Sequence, residues 1–210
     1  MLWSGWYDYV LPRASGLTPE FALESIRMAA REFCDRTAAL TLDGSATAIA
    51  GGTVYPITFA GYELVKVWQV WYGPKKIHAM NPQQLTQDYG EYWPDLAGNP
   101  LCWTQDGVLT DIRLVPKHTG PNLPLKWKAA VKPTLASTGL RDDFANRFHE
   151  AIGEGALSKV LGISARPWTD PGRAMACKIA FDSEIARAHA MAARGFAGTF
   201  VQRNGRRRFM

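Results

Sequence analysis

Cysteine is scarce in this chain: Cys34, Cys102 and Cys177, an odd number, stand 68 and 75 residues apart. That pattern gives neither a disulfide framework nor a metal-ligand spacing. Three small buried or half-buried thiols in a reducing compartment are expected instead. No apolar run approaches the roughly 18 residues needed to span a bilayer. The opening MLWSGWYDYV is aromatic, but it lacks the basic start and continuous apolar stretch of a secretory leader. A protein made and kept in a cytoplasm, with no membrane partner, is the expectation.

Catalytic patterns are equally sparse. Phe148-His149-Glu150 begins like a zinc-protease helix, but the second histidine would have to stand where Gly153 is. Gly153-Glu154-Gly155 begins like a dinucleotide loop, yet position 158 is Ser158 and the segment reads as helix interior. There is no phosphate-cradling Gly-Lys-Ser/Thr loop and no Gly-x-Ser-x-Gly elbow. His78, His118, His149 and His189 are far apart and do not combine with the cysteines at ligand spacing. Asp142-Asp143 fall in the first turn of an expected helix, where the positive end of the helix is reason enough for both. No catalytic residue, cofactor or metal is expected, and the chain does not read as an enzyme.

Acidic residues are missing from one region only. Gly195–Met210 carry Arg203, Arg206, Arg207 and Arg208 and no acid, so four of the five net positive charges lie there and the preceding 194 residues carry +1. The sequence describes a near-neutral globule with a basic tail, and its pI of about 9.2 is no argument for a nucleic-acid-binding body. Glycines and arginines alone would suit a solvated end. Phe196, Phe200 and Phe209 do not, because an unbound tail gains nothing by exposing them. The tail reads as a partner-binding arm in which those rings anchor and the four arginines find carboxylates or phosphates.

What the chain does have is helix at both ends and short, punctuated apolar runs between. Thr18-Pro19-Glu20 is a helix start, followed by Leu23, Ile26, Ala30 and Phe33 at helical spacing to about Arg36. Trp3 to Leu11 can form a short aromatic helix. From Ala38 the glycines and prolines divide strand-like runs. Among them are Tyr62–Tyr72, a hairpin around Asp106-Gly107, and the alternating Leu123–Val131. Gln83–Trp93 is a short helix or an ordered loop. Leu140 to Gly162 carries one broad apolar stripe, in which Gly153 and Gly155 are expected to admit a closely approaching backbone. Asp170-Pro171 starts a last helix that Gly195 ends.

The expected fold is α+β: a helical bundle formed by the N- and C-terminal helices (residues 1–37 and 138–195), an inserted β-rich lobe (38–137), and an extended basic C-terminal arm (196–210). Eight tryptophans suit both cores and interfaces. Trp127 reads as core, while Trp3, Trp6 and Trp168 divide evenly between core and interface and are kept as interface candidates.

Several segments resemble the head-to-tail adaptor (connector) proteins of tailed phages. They are Trp6-Tyr7-Asp8-Tyr9-Val10-Leu11-Pro12 with Ala29 to Thr37, then Ala151-Ile152-Gly153-Glu154-Gly155-Ala156-Leu157-Ser158-Lys159-Val160-Leu161, then Arg166 to Pro171, and Phe181 to Ala188. The likeness covers the order of elements along nearly the whole chain and is loosest between the helices. It implies a structural virion protein at the neck, a subunit of a ring that is usually twelvefold. Such a ring docks its helical part on the portal protein, extends the channel through which DNA passes without sequence-specific binding, and offers a platform to a downstream tail or nozzle protein. By the same likeness the basic tail would be an arm on the portal's flank. Two other readings stand beside it: a nucleic-acid-binding protein using the arginine tail, and a tail-completion or stopper protein.

Overall fold

The computed structural model describes residues 1–105 and 110–194. Two 3-10 turns enclose one turn of α-helix, α1 (Tyr7–Val10), before α2 (Pro19–Thr37) begins. Pro19 takes the first helical position, where its missing N–H would have had no partner. Thr18 is at the N-cap, yet its hydroxyl makes no capping bond. Ala38 ends α2 in a left-handed conformation, φ 49°, its N–H donating to the Cys34 carbonyl.

Nine strands and a short helix follow: β1 (Thr41–Ala48), β2 (Val54–Pro56), β3 (Tyr62–Tyr72), β4 (Lys75–Ala79), α3 (Pro82–Tyr89), β5 (Ala97–Gly98), β6 (Cys102–Thr104), β7 (Asp111–Val115), β8 (Lys117–His118) and β9 (Leu123–Pro133). Seven of the strands form one sheet in the order β1-β9-β3-β4-β6-β7-β2. Every pairing in it is antiparallel except β4 with β6. The sheet curls, and its two edges, β1 and β2, are separated in sequence by only five residues. Tyr55 of β2 closes that end through its hydroxyl, which accepts the Ile49 N–H at 3.2 Å. β5 and β8 pair apart from it.

Asn81 and Gln84 cap α3 reciprocally, so the segment after Pro82 is helix. β6 and β7 flank the expected hairpin turn and pair as such a hairpin requires, while residues 106–109 lie outside the described residues. The stripe from Leu140 is two helices, α4 (Asp142–Arg147) and α5 (His149–Leu161), because Phe148 leaves helical geometry at φ −116°, ψ 22°. α6 (Pro171–Arg194) starts where expected, with the Asp170 carboxylate accepting the Arg173 N–H at 3.0 Å. Among the described residues no helix is long and apolar enough to cross a membrane.

The helices pack around four phenylalanines. Phe33 of α2 lies 4.9 Å from Phe148 and 6.1 Å from both Phe144 and Phe181, centroid to centroid. The curled sheet encloses a second core of Val67, Val70, Ile77, Ile112, Leu114, Leu125 and Trp127.

These observations correct the expected architecture. The α+β class stands, but a bundle of terminal helices with an inserted lobe does not describe the molecule. Its organising element is a nearly closed, mixed, seven-stranded barrel, with six α-helices among the described residues. Two causes explain the difference. The glycine and proline punctuation marked off separate runs and left β1 unnamed, whereas β1, β9 and β3 are laterally continuous. In addition, β9 reaches the helices while still paired with β3: Ala129 belongs to the barrel core and Val131, with Leu40, to the helical core.

Candidate functional site: the interlock of α1, α5 and α6

A polar cluster outside the sheet forms where α1 crosses α5 beside α6. Tyr9 of α1 donates its hydroxyl proton to Glu154 Oε1 of α5 at 2.7 Å, and Arg13 Nη1 donates to the same oxygen at 2.7 Å. The Arg13 guanidinium lies 3.9 Å over the Tyr9 ring centre, joining the three side chains into one unit. The Cys177 thiol of α6 lies close enough to the Glu154 carboxylate to influence its titration.

Local sequence explains how the ring reaches α5. Gly153 is where the Tyr9 ring rests: a Cβ there would come within 2.4 Å of Tyr9 Cδ1. Gly155 makes the same room for Phe181 of α6, whose Cε2 would lie 2.6 Å from an added Cβ. The expectation of a close approach at these glycines therefore holds with one correction: what approaches is an aromatic ring, not a backbone.

Electrostatics hold each group in a fixed form at neutral pH. Burial and the bond to Glu154 push the Tyr9 phenol up to about 12. Burial also raises Glu154, but Cys177, Tyr9 and Arg13 outweigh it and leave the carboxyl below its usual range. Burial and Glu154 push the Cys177 thiol up to about 11. Phenol, carboxylate and thiol thus keep their protons or charge across neutrality. A general acid–base group needs the opposite, a pKa near the working pH. The geometry suits a static clamp.

The clamp opens onto a groove of about 530 Å³ lined by His149, Glu150, Glu184 and Arg187 among others. His149 stacks on Trp6 at 5.2 Å and meets Tyr9 edge-on at 5.7 Å. Its Nε2 lies 3.2 Å from the Gly5 carbonyl oxygen, which can only accept, so that nitrogen carries the proton. His118 is wholly buried and fixed likewise: Nε2 donates to the Pro121 carbonyl, and Nδ1 accepts the Tyr72 hydroxyl at 2.6 Å. Among the described residues no group of three His, Cys, Asp or Glu side chains could hold a metal ion.

The residues selected from the sequence fare differently. Trp3, Trp6 and Trp168 are 2%, 0% and 8% exposed, so of the two places open to them they occupy the chain's own core and are corrected as interface candidates. The Trp3 and Trp6 N–H groups donate to the carbonyls of Ser137 and His149. Phe196, Phe200, Arg203, Arg206, Arg207, Arg208 and Phe209 lie outside the described residues. The structure does bring together three of the segments that carry the adaptor resemblance: Tyr9 of Trp6 to Pro12, Gly153 to Gly155 of Ala151 to Leu161, and Phe181 of Phe181 to Ala188. Sequence reasoning missed Tyr9, Arg13 and Glu154 as a unit because nothing local signals a contact across 145 positions. No family model matches the chain, and no curated protein matches it.

Proposed function

We propose that this chain is a structural virion protein, a head-to-tail adaptor whose copies form a ring on the portal, extend the DNA channel and present a platform to a tail or nozzle protein. The resemblance of the terminal segments supports this reading, and the meeting of three of them in one clamp gives those segments a shared structural purpose.

The observation that carries it is a set of large apolar side chains left in solvent on the two longest helices. Met175 and Ile179, one turn apart on α6, are 62% and 63% exposed, and Phe21 and Met28 of α2 are 47% and 44% exposed. Both helices also place large rings in the core, so burial was available to their apolar residues. A contiguous exposed apolar patch marks a surface that meets another protein, and Met175 with Ile179, neighbours on α6, supports such a patch there. A ring subunit needs such a surface on one side and an unlike one on the other.

In this reading Phe196, Phe200, Phe209 and the four tail arginines form an arm toward the portal, and neither a cofactor nor a metal takes part. The test is electron microscopy of the purified protein mixed with the portal of its own phage. A stacked double ring is expected, and truncation at Gly195 is expected to abolish docking while the chain stays folded. Monomers beside bare portals would refute the adaptor role.

A further inference from the structure

The near-neutral charge of the body conceals a segregation that only the strand register exposes. Leu125, Trp127 and Ala129 of β9 point into the barrel core, so Lys126 and Lys128 point out. The register aligns Ser45 of β1, Lys126 of β9, Trp71 of β3 and Lys76 of β4 in one row across four strands. The next row holds Asp43, Lys128 and Gln69. Lys76, Lys126 and Lys128 are exposed, and none of them forms an ion pair among the described residues. Asp43 is the sole acid in the two rows. The helices leave this region open, since α2 meets β9 at its far end, where Arg31 and Asp35 hold Pro133 and Lys132.

The aromatic in the row is placed to meet a ligand. Trp71 is half-buried and lines a depression of about 580 Å³ with Asp43, Gly44, Ser45 and Lys126 among others. Gly44 matters here because the Trp127 indole lies against it: a Cβ would come within 2.3 Å of Nε1. Sheet geometry sets the charges around the ring. Residues two apart on one strand face are about 7 Å apart, and Lys126 and Lys76, two strands apart with Trp71 between them, are about 10 Å apart.

We propose that this outer sheet face binds single-stranded nucleic acid, with Lys76, Lys126 and Lys128 contacting phosphates and Trp71 stacking on a base. Charge complementarity selects a polyanion, and an aromatic ring set between unpaired lysines on an open sheet selects one that carries flat bases. An acidic peptide satisfies the lysines and leaves Trp71 without a purpose. The proposal does not rest on the adaptor reading, and it is separate from the arginine tail.

The test is titration of the full-length chain with a fluorescently labelled oligothymidylate over a series of salt concentrations, the tail being kept in every variant. Affinity is expected to fall with salt. The Lys76→Ala/Lys126→Ala/Lys128→Ala variant should reduce the slope of log affinity against log salt by about 2, since each phosphate neutralised on a single strand adds roughly 0.7. Trp71→Ala should weaken binding about tenfold, and Trp71→Phe should retain most of it. Thermal melts matching the parent's establish that the variants are folded. Absence of binding by the parent overturns the proposal. So does an unchanged salt slope in the triple variant, which assigns binding to the tail, or tighter binding to polyglutamate than to the oligonucleotide.

Discussion

The Tyr9 hydroxyl and the Glu154 carboxylate meet at 2.7 Å across 145 positions of sequence, and that bond ties α1 to α5. Arg13 completes it from the same side of the molecule. The contact is the centre of a clamp made from residues with no local reason to be together, which makes it the natural place to test the fold.

Tyr9→Phe removes the donated proton and keeps the ring over Gly153. A loss of about 1 kcal/mol in urea unfolding is expected, the usual net worth of one such bond. Glu154→Gln should cost at least as much, because Arg13 then loses its anionic partner. In a double-mutant cycle the two losses should fall short of additivity.

The clamp also sets a pH dependence. Glu154 titrates below its usual range in the folded chain, so its contribution is present above the unfolded carboxyl pKa and is lost as pH falls through the lower folded value. Tyr9 has the opposite sign. Its folded pKa is raised to about 12 from an ordinary 10.0, so its contribution is full below about pH 10 and disappears as pH rises toward 12. Chemical denaturation across pH should show both limbs. Tyr9→Phe should flatten the alkaline one and Glu154→Gln the acid one.

Gly155→Ala sets two opposing effects against each other. Alanine gains about 1 kcal/mol of helix propensity. Its Cβ, however, would sit 2.6 Å from the ring of Phe181, which is 1% exposed and has nowhere to move. Overpacking of this kind costs about 1–3 kcal/mol. Net destabilisation by calorimetry is expected, in contrast to the gain alanine brings at an open helical glycine.

Met175→Ser/Ile179→Ser tests the exposed apolar surface of α6. Both side chains are already in solvent, so the melting temperature should move little. Self-association or portal docking, followed by analytical ultracentrifugation, should weaken. Unaltered assembly in the folded double variant would remove the observation on which the adaptor reading leans.

Local rules reached some of this and could not reach the rest. Pro19, Asp170-Pro171 and the alternation of Leu125, Trp127 and Ala129 each announce an element through its own residues, and the elements are where those residues place them. The break at Phe148 is invisible because Phe144, Phe148 and Ile152 keep helical spacing through it. Trp3 and Trp6 could not be assigned to core or interface, since an indole suits both until Ser137 and His149 supply acceptors from the other end of the chain. The lysine face needs register. Lys126 and Lys128 are legible as one side of a strand, but their juxtaposition with Trp71 and Lys76 comes from pairing between segments roughly fifty residues apart.

β9 carries one more consequence. Within three residues it passes from Ala129 in the barrel core to Val131 in the helical core, and Val131 donates its backbone N–H to Leu40 at the foot of α2. Neither half of the molecule owns that stretch. Cutting the helices away would strip one side of Leu40 and Val131 and bare apolar surface on the remaining sheet. Melting should accordingly proceed as one cooperative event with a single heat-absorption peak, and neither half is a fragment fit for separate expression.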